Sequence, residues 1–343
     1  MTLSAFIDRL AETRTPHAVL RHPRGGAAVF LPAAARLIGL WPDPEGPNLL
    51  WTHPQLPDRP DAAAEGWGGM APGGPGGDRL WQGPEHRYFW EGTPQSDLSN
   101  WRVPPAWDPG TFAMTATGVE LRFERNLELP DGATATVERH FRLEATAEPG
   151  HLRLRETQAL ELHGARDDTQ LDLWVITQVP AGSRLVVPTR GDAEPGIAYE
   201  NRPGDIARLR QSHPGGFVWD VTGEPMLKGH LSASQVRGVL GCLKRWEGDG
   251  ASLLLRHFTP RPEDAYLDGL LPEQVGTQCV QFWDGLGYGE IECHSPTATA
   301  AAPRIEQTYR LDARIGSAAA LSAIASEALG AEPVESFLKP IPS

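Results

Sequence analysis

The stretch Val119-Glu120-Leu121-Arg122-Phe123-Glu124-Arg125-Asn126-Leu127-Glu128-Leu129 sets Val119, Leu121, Phe123, Leu127 and Leu129 against Glu120, Arg122, Glu124, Asn126 and Glu128. Successive side chains of a strand point to opposite faces, so this alternation describes a strand with one buried and one wet side. The same pattern returns at once. Val137, Phe141 and Leu143 oppose Glu138, His140, Arg142 and Glu144; Leu152, Leu154, Leu160 and Leu162 continue it, and Ile305, Tyr309 and Leu311 repeat it near the end. Half-buried strands of this kind belong to antiparallel sheets.

Working outward, further strands are expected at 17–22, 26–31, 35–41, 171–178, 184–188, 216–221, 236–242, 252–258 and 277–283, separated by Pro, Gly, Asp and Asn clusters. Helical periodicity is nearly absent. Leu3, Phe6, Ile7 and Leu10 fit a short amphipathic helix over 3–12 within an N-terminal segment 1–16. Ser317 as N-cap, a stripe of Leu321, Ile324 and Ala328, and Gly330 as a stop predict a second helix over 317–329, within a C-terminal helix and tail spanning 313–343. Many strands with short turns and no strand–helix–strand rhythm make the chain all-β, a sandwich or barrel, and 343 residues fit a single domain of that class. Residues 52–112 break the pattern. They hold Trp67, Trp81, Trp90, Trp101 and Trp107, too many aromatics for disorder, so an ordered Trp/Gly/Pro-rich covering loop is expected there.

Composition excludes several functions. A formal net charge of −13, with no compensating basic cluster, opposes binding to nucleic acid or an anionic membrane. No apolar run approaches the ~20 residues of a membrane span. Asp8 and Glu12 interrupt the stretch a secretory signal would need, and Cys242, Cys279 and Cys293 are odd in number without ligand-type pairing, so a reducing cytoplasm is the expected setting. A small neutral molecule is the expected partner.

The chemistry concentrates in two places. In Gly287-Tyr288-Gly289-Glu290-Ile291-Glu292-Cys293-His294, strand parity puts Tyr288, Glu290, Glu292 and His294 on one face and Gly289, Ile291 and Cys293 on the other. Two carboxylates, an imidazole and a phenol are common general acids and bases, although a solvated strand face would read the same way. Earlier, Gly76-Gly77-Asp78-Arg79-Leu80-Trp81-Gln82-Gly83-Pro84-Glu85 gathers Asp78, Arg79, Trp81 and Glu85 between glycines, offering hydrogen bonds and a flat apolar face to a sugar, or equally an ion pair against a packed Trp. The run Gly66-Trp67-Gly68-Gly69-Met70-Ala71 formally matches a dinucleotide loop, but Pro72 and Pro75 forbid the helix that must follow. No cofactor is expected. His213, His230 and His257 lack ligand spacing, so no metal is expected, and no nucleophile elbow supports a serine hydrolase.

Ala34-Ala35-Arg36-Leu37-Ile38-Gly39-Leu40-Trp41, Asn48-Leu49-Leu50-Trp51, the glycine-flanked Asp78–Trp81 segment, Trp174-Val175-Ile176-Thr177-Gln178 and Tyr288 through Pro296 together resemble the galactose mutarotase-like (aldose 1-epimerase-like) superfamily over roughly residues 17–312. The resemblance implies a β-supersandwich with a carbohydrate on its concave face. It implies Glu292 as the base that removes the anomeric hydroxyl proton, Arg79 as a substrate-binding residue, Glu85 holding a hydroxyl and Trp81 stacking on the ring, with Asp78, Tyr288, Trp174 and Gln178 nearby. Glu290 would raise the Glu292 pKa by like-charge proximity if both reach one pocket. The family's mid-chain His is missing, since that region reads Ile176-Thr177-Gln178-Val179-Pro180. His294, His257 or His86 would have to supply the proton for ring opening. Otherwise the fold has kept sugar binding alone, as a sensor; a third reading is an oligosaccharide lyase or hydrolase, which would need a longer groove.

Overall fold

The computed structural model describes residues 1–56, 74–104, 106–108, 110–224, 226–246, 248–276 and 278–328; the glycine-rich run at 66–71 lies outside them. Two large sheets carry the described residues. The first runs from edge to edge through Ala18–Arg21, Ala27–Leu31, Arg36–Trp41, Asp78–Gly83, Gln170–Pro180, Tyr288–His294, Val280–Gly285, Leu227–Leu231 and Gly196–Glu200. The second runs through Arg210–His213, Gly216–Val221, Ser183–Pro188, Val239–Arg245, Gly250–His257, Arg304–Ser317, His151–His163, Thr134–Glu144, Glu120–Glu128 and Ala113–Thr117. Pairing is antiparallel throughout, as the alternating segments required.

Each alternating strand turns its apolar side inward. Phe123, Leu127, Val137, Phe141, Leu154 and Leu160 are buried while Glu124, Glu138 and Arg142 face water. Aromatic rings knit the sheets: Phe30 of the first lies 4.8 Å from Phe141 of the second, and Phe282 lies 5.7 Å from Phe217. Helix Leu3–Glu12 buries Leu3, Phe6 and Leu10 on the first sheet beside Trp41, and helix Ala318–Ala328, whose Ala320 amide bonds the Ser317 hydroxyl, buries Leu321 and Ala325 against the second.

The expectation of an ordered covering loop over 52–112 is corrected for residues 78–83 and 85–88. Asp78–Gly83 is a strand in the middle of the first sheet, paired with Gln170–Pro180 along its whole length, and Glu85–Tyr88 is a helical turn. Its six residues are all buried, so no wet side exists to create an alternating pattern. The residues that follow do cover the sheet, placing Phe89, Trp101 and Trp107 over its outer face.

Candidate functional site

Register across the first sheet lines up three rows on the face turned away from the second sheet. One row is Gln178, Glu290, Trp283 and Lys228. The next is Arg79, Ile176, Glu292, Gln281 and His230, and the third is Trp81, Trp174 and His294. The early Arg- and Trp-bearing segment and the late acidic strand thus share one face of the first sheet.

Most of the charged groups are paired. Arg79 donates to Glu290 at 2.8 Å, and the Gln178 amide donates to the same oxygen at 3.1 Å. Lys228 Nζ lies 2.9 Å from Glu85 Oε2 and 3.3 Å from Glu292 Oε2, with its charge 4.5 Å from the centre of the Trp174 ring. The indole N–H of Trp174 donates to Glu292 Oε2 at 2.8 Å, and that of Trp101 to Glu85 Oε1 at 2.9 Å. Glu292 therefore has one oxygen held twice, while its Oε1 is buried with no hydrogen-bond partner among the described residues. Burial is the main cause that lifts the Glu292 carboxyl to about 7; Lys228 opposes it, and Glu290 then Glu85 add to it. The like-charge effect of Glu290 thus exists but ranks below desolvation. Burial alone would lower the Lys228 pKa, yet Glu292 and Glu85 outweigh it and hold the ammonium charged.

His294 stacks on Trp174 with ring centroids 5.2 Å apart and a carboxylate at each nitrogen: Nδ1 is 3.4 Å from Asp172 Oδ1, and Nε2 is 3.4 Å from Asp268 Oδ2. Asp268 also accepts from the Glu85 amide at 2.6 Å and from Gln281 at 3.0 Å. Burial lowers the His294 pKa, but Asp268 and Asp172 reverse the sign and raise it.

Exposure grades along the face. Trp51 and Trp283 are half-buried and flank Tyr288, whose ring stacks on Trp51 at 4.3 Å and lies 5.0 Å from Trp283. Arg79, Glu290 and Lys228 are each 6% exposed, whereas Glu292, Asp172 and Asp268 are at 0%. A ligand arriving beside Trp51 and Trp283 would meet Arg79, Glu290 and Lys228 before Glu292.

Of the residues expected here, Arg79, Trp81, Glu85, Trp174, Gln178, Tyr288, Glu290, Glu292 and His294 are brought together. Trp81 is packed: the Arg79 guanidinium sits 3.8 Å above its ring, Phe89, Trp101 and Trp174 surround it, and its N–H donates to Asp108 at 2.9 Å. Asp78 is a correction. Lying next to Arg79 in a strand, it points the other way, between the sheets, where Arg139, Arg256 and Thr177 take its oxygens. His257 pairs with Asp312 on the second sheet, and His86 lies on the helical turn after Glu85. Sequence reasoning passed over Lys228, Asp172 and Asp268. Lys228 was marked by the alternation Leu227-Lys228-Gly229-His230-Leu231, and Asp172 by sharing parity with Trp174 and Gln178; Asp268 sits in a loop and gave no signal.

No family model matches the chain, and no curated protein matches it. Among solved structures, one from Klebsiella pneumoniae assigned to the aldose 1-epimerases aligns over 94% of this chain and 90% of its own, with a TM-score of 0.52 at 11% identity. A galactose mutarotase-like protein from Lactobacillus casei covers 87% of this chain and 100% of its own at a TM-score of 0.49 and 9% identity. A GalM/aldose epimerase homologue from C. elegans covers 88% and 99% at 0.44 and 10%. At such identities the likeness speaks for architecture, and the two antiparallel sheets of this chain have the galactose mutarotase-like fold.

Proposed function

We propose that the protein binds a small carbohydrate on the outer face of its first sheet and exchanges the configuration at the anomeric carbon, as an aldose 1-epimerase does. The observation that carries this reading is the state of Glu292: one carboxylate oxygen fixed by Trp174 and Lys228, the other buried and without a hydrogen-bond partner among the described residues. A carboxylate oriented through one oxygen presents the second as a proton acceptor. Arg79, Glu290, Gln178 and Tyr288 supply the donors and acceptors that ring hydroxyls need, and Trp51 and Trp283 supply apolar faces at the edge.

In this reading Glu292 takes the proton of the anomeric hydroxyl while the bond from the anomeric carbon to the ring oxygen breaks. Lys228, a cationic donor 3.3 Å from Glu292, gives the ring oxygen its proton. Rotation of the open-chain aldehyde about the intact bond between the anomeric carbon and its carbon neighbour, followed by the reverse transfers, closes the ring as the other anomer and restores both residues. His294, set between Asp172 and Asp268 behind Glu292, orients the Trp174 ring on which it stacks.

The test is a titration of the purified chain with a panel of aldoses, followed by tryptophan fluorescence and calorimetry and paired with magnetisation-exchange NMR on the α and β anomeric protons. Saturable binding with faster exchange supports the proposal. Binding without exchange would reduce the protein to a sugar sensor, and no binding across the panel would remove the carbohydrate reading.

A further inference from the structure

The buried face carries a charge imbalance that its protein partners leave unresolved. Glu85, Glu290, Glu292, Asp172 and Asp268 are five buried carboxylates facing Arg79, Lys228 and His294, so even a protonated His294 leaves acids outnumbering bases by two. Burying unneutralised carboxylates costs several kcal/mol each, which selects for protons or for a cation. The excess is localised. Arg79 and Glu290 pair with each other and Lys228 bridges Glu85 and Glu292, whereas among the described residues the cationic group in direct ion-pair contact with Asp172 and Asp268 is the imidazole between them.

Two further observations point to what belongs there. Among the described residues Asp172 Oδ2 has no hydrogen-bond partner although Asp172 is fully buried, and His294 Nε2, also buried, makes no hydrogen bond, with Asp268 Oδ2 3.4 Å away as its ion-pair partner. Gly83 lets both carboxylates close in on the backbone: a Cβ built on it would stand 2.8 Å from Asp172 Oδ2, 2.6 Å from Asp172 Oδ1 and 2.7 Å from Asp268 Oδ1, inside contact distance, so the two acids are held close together. One donor atom from each of Asp172, Asp268 and His294 falls within 4.8 Å of the others. Ligands about 2.0–2.2 Å from one ion lie at most about 4.4 Å apart, so the three donor atoms need draw in by only a few tenths of an ångström to share one. The outer contacts are present too, since the Gly83 amide at 3.2 Å, the Glu85 amide and Gln281 fix the two carboxylates in orientation.

From this geometry we infer that Asp172, Asp268 and His294 form a binding site for one divalent transition-metal cation. Two carboxylates and an imidazole suit zinc or manganese better than an all-oxygen ion such as calcium. Spacing gave no hint of the set, because its members come from three separate parts of the chain.

The test uses the full chain, stripped with chelator and equilibrated with zinc or manganese chloride in the absence of sugar, so that its outcome is independent of the proposed reaction. Calorimetry is expected to show one tight site per chain. Asp172→Asn and His294→Gln should each weaken it about 100-fold or more, beyond the 10–100-fold typical of outer-contact loss. A readout that needs no variant is pulsed electron paramagnetic resonance of the manganese form, which should show modulation from a directly bound imidazole nitrogen. Absence of saturable binding by either metal, affinity unchanged in both variants, or a bound manganese without nitrogen modulation would each overturn the assignment.

Discussion

Replacing Asp78 by Asn tests the claim that this residue belongs to the inter-sheet core and is no part of the face that carries Arg79 and Glu292. Asp78 and Glu156 are both at 0% exposure and neutralise Arg139 and Arg256, which are equally buried. The substitution keeps the shape but leaves two guanidiniums with one carboxylate. Breaking a buried pair from one side costs about 3–5 kcal/mol. The lower end applies, because Glu156 remains within 2.7 Å of Arg139 and 3.4 Å of Arg256, and Thr177 still bonds Arg256 at 2.8 Å. With an unfolding entropy of about 2.1 cal/mol/K per residue, a chain of 343 residues loses about 4 °C of Tm for 3 kcal/mol. Circular dichroism melts and urea titrations read this directly. Adding Arg256→Gln restores charge balance, so the double variant should lose clearly less stability than the two single losses added together. A folded Asp78→Asn protein melting within about 1 °C of wild type, or strict additivity in the double variant, would refute the reasoning.

Asp312, nearly buried, is contacted by His151, Arg153, His257 and Arg310. Burial would raise its pKa, but hydrogen bonds from His151, His257 and Arg153 outweigh it and hold the carboxyl well below the usual range. A depressed folded pKa contributes stability that is present above the unfolded value of about 3.9 and is lost as pH falls below it. Asp312→Asn should therefore cost about 1–3 kcal/mol at pH 7 and flatten the acid limb below about pH 4 in urea titrations; an unchanged acid limb would count against it. Gly77→Ala should destabilise by about 3 kcal/mol or more, since φ is +83° and the new Cβ would lie 2.2 Å from the Leu37 carbonyl oxygen. A neutral effect in urea unfolding would show that the turn is placed otherwise.

The sequence was legible where one face of a strand meets water. The alternation of Leu121, Phe123 and Leu127 with Arg122, Glu124 and Glu128 specified both strand and facing, and parity alone put Glu290, Glu292 and His294 together. It failed where both faces are covered. Asp78–Gly83 carries chemistry on each side, and only parity distinguishes Arg79, which faces the site, from Asp78, which ties the sheets. Lys228 and Asp172 enter the site through pairings between distant segments, and Asp268 through a loop, so no local pattern could join them to Glu292.

The central claim is that Glu292 accepts the anomeric proton. Polarimetry on a freshly dissolved α-aldose that binds the protein tests it most directly, comparing wild type with Glu292→Gln at matched sugar occupancy. The expected result is equilibration above the uncatalysed rate with wild type and at the uncatalysed rate with the variant. Equal acceleration by both proteins would contradict the assignment.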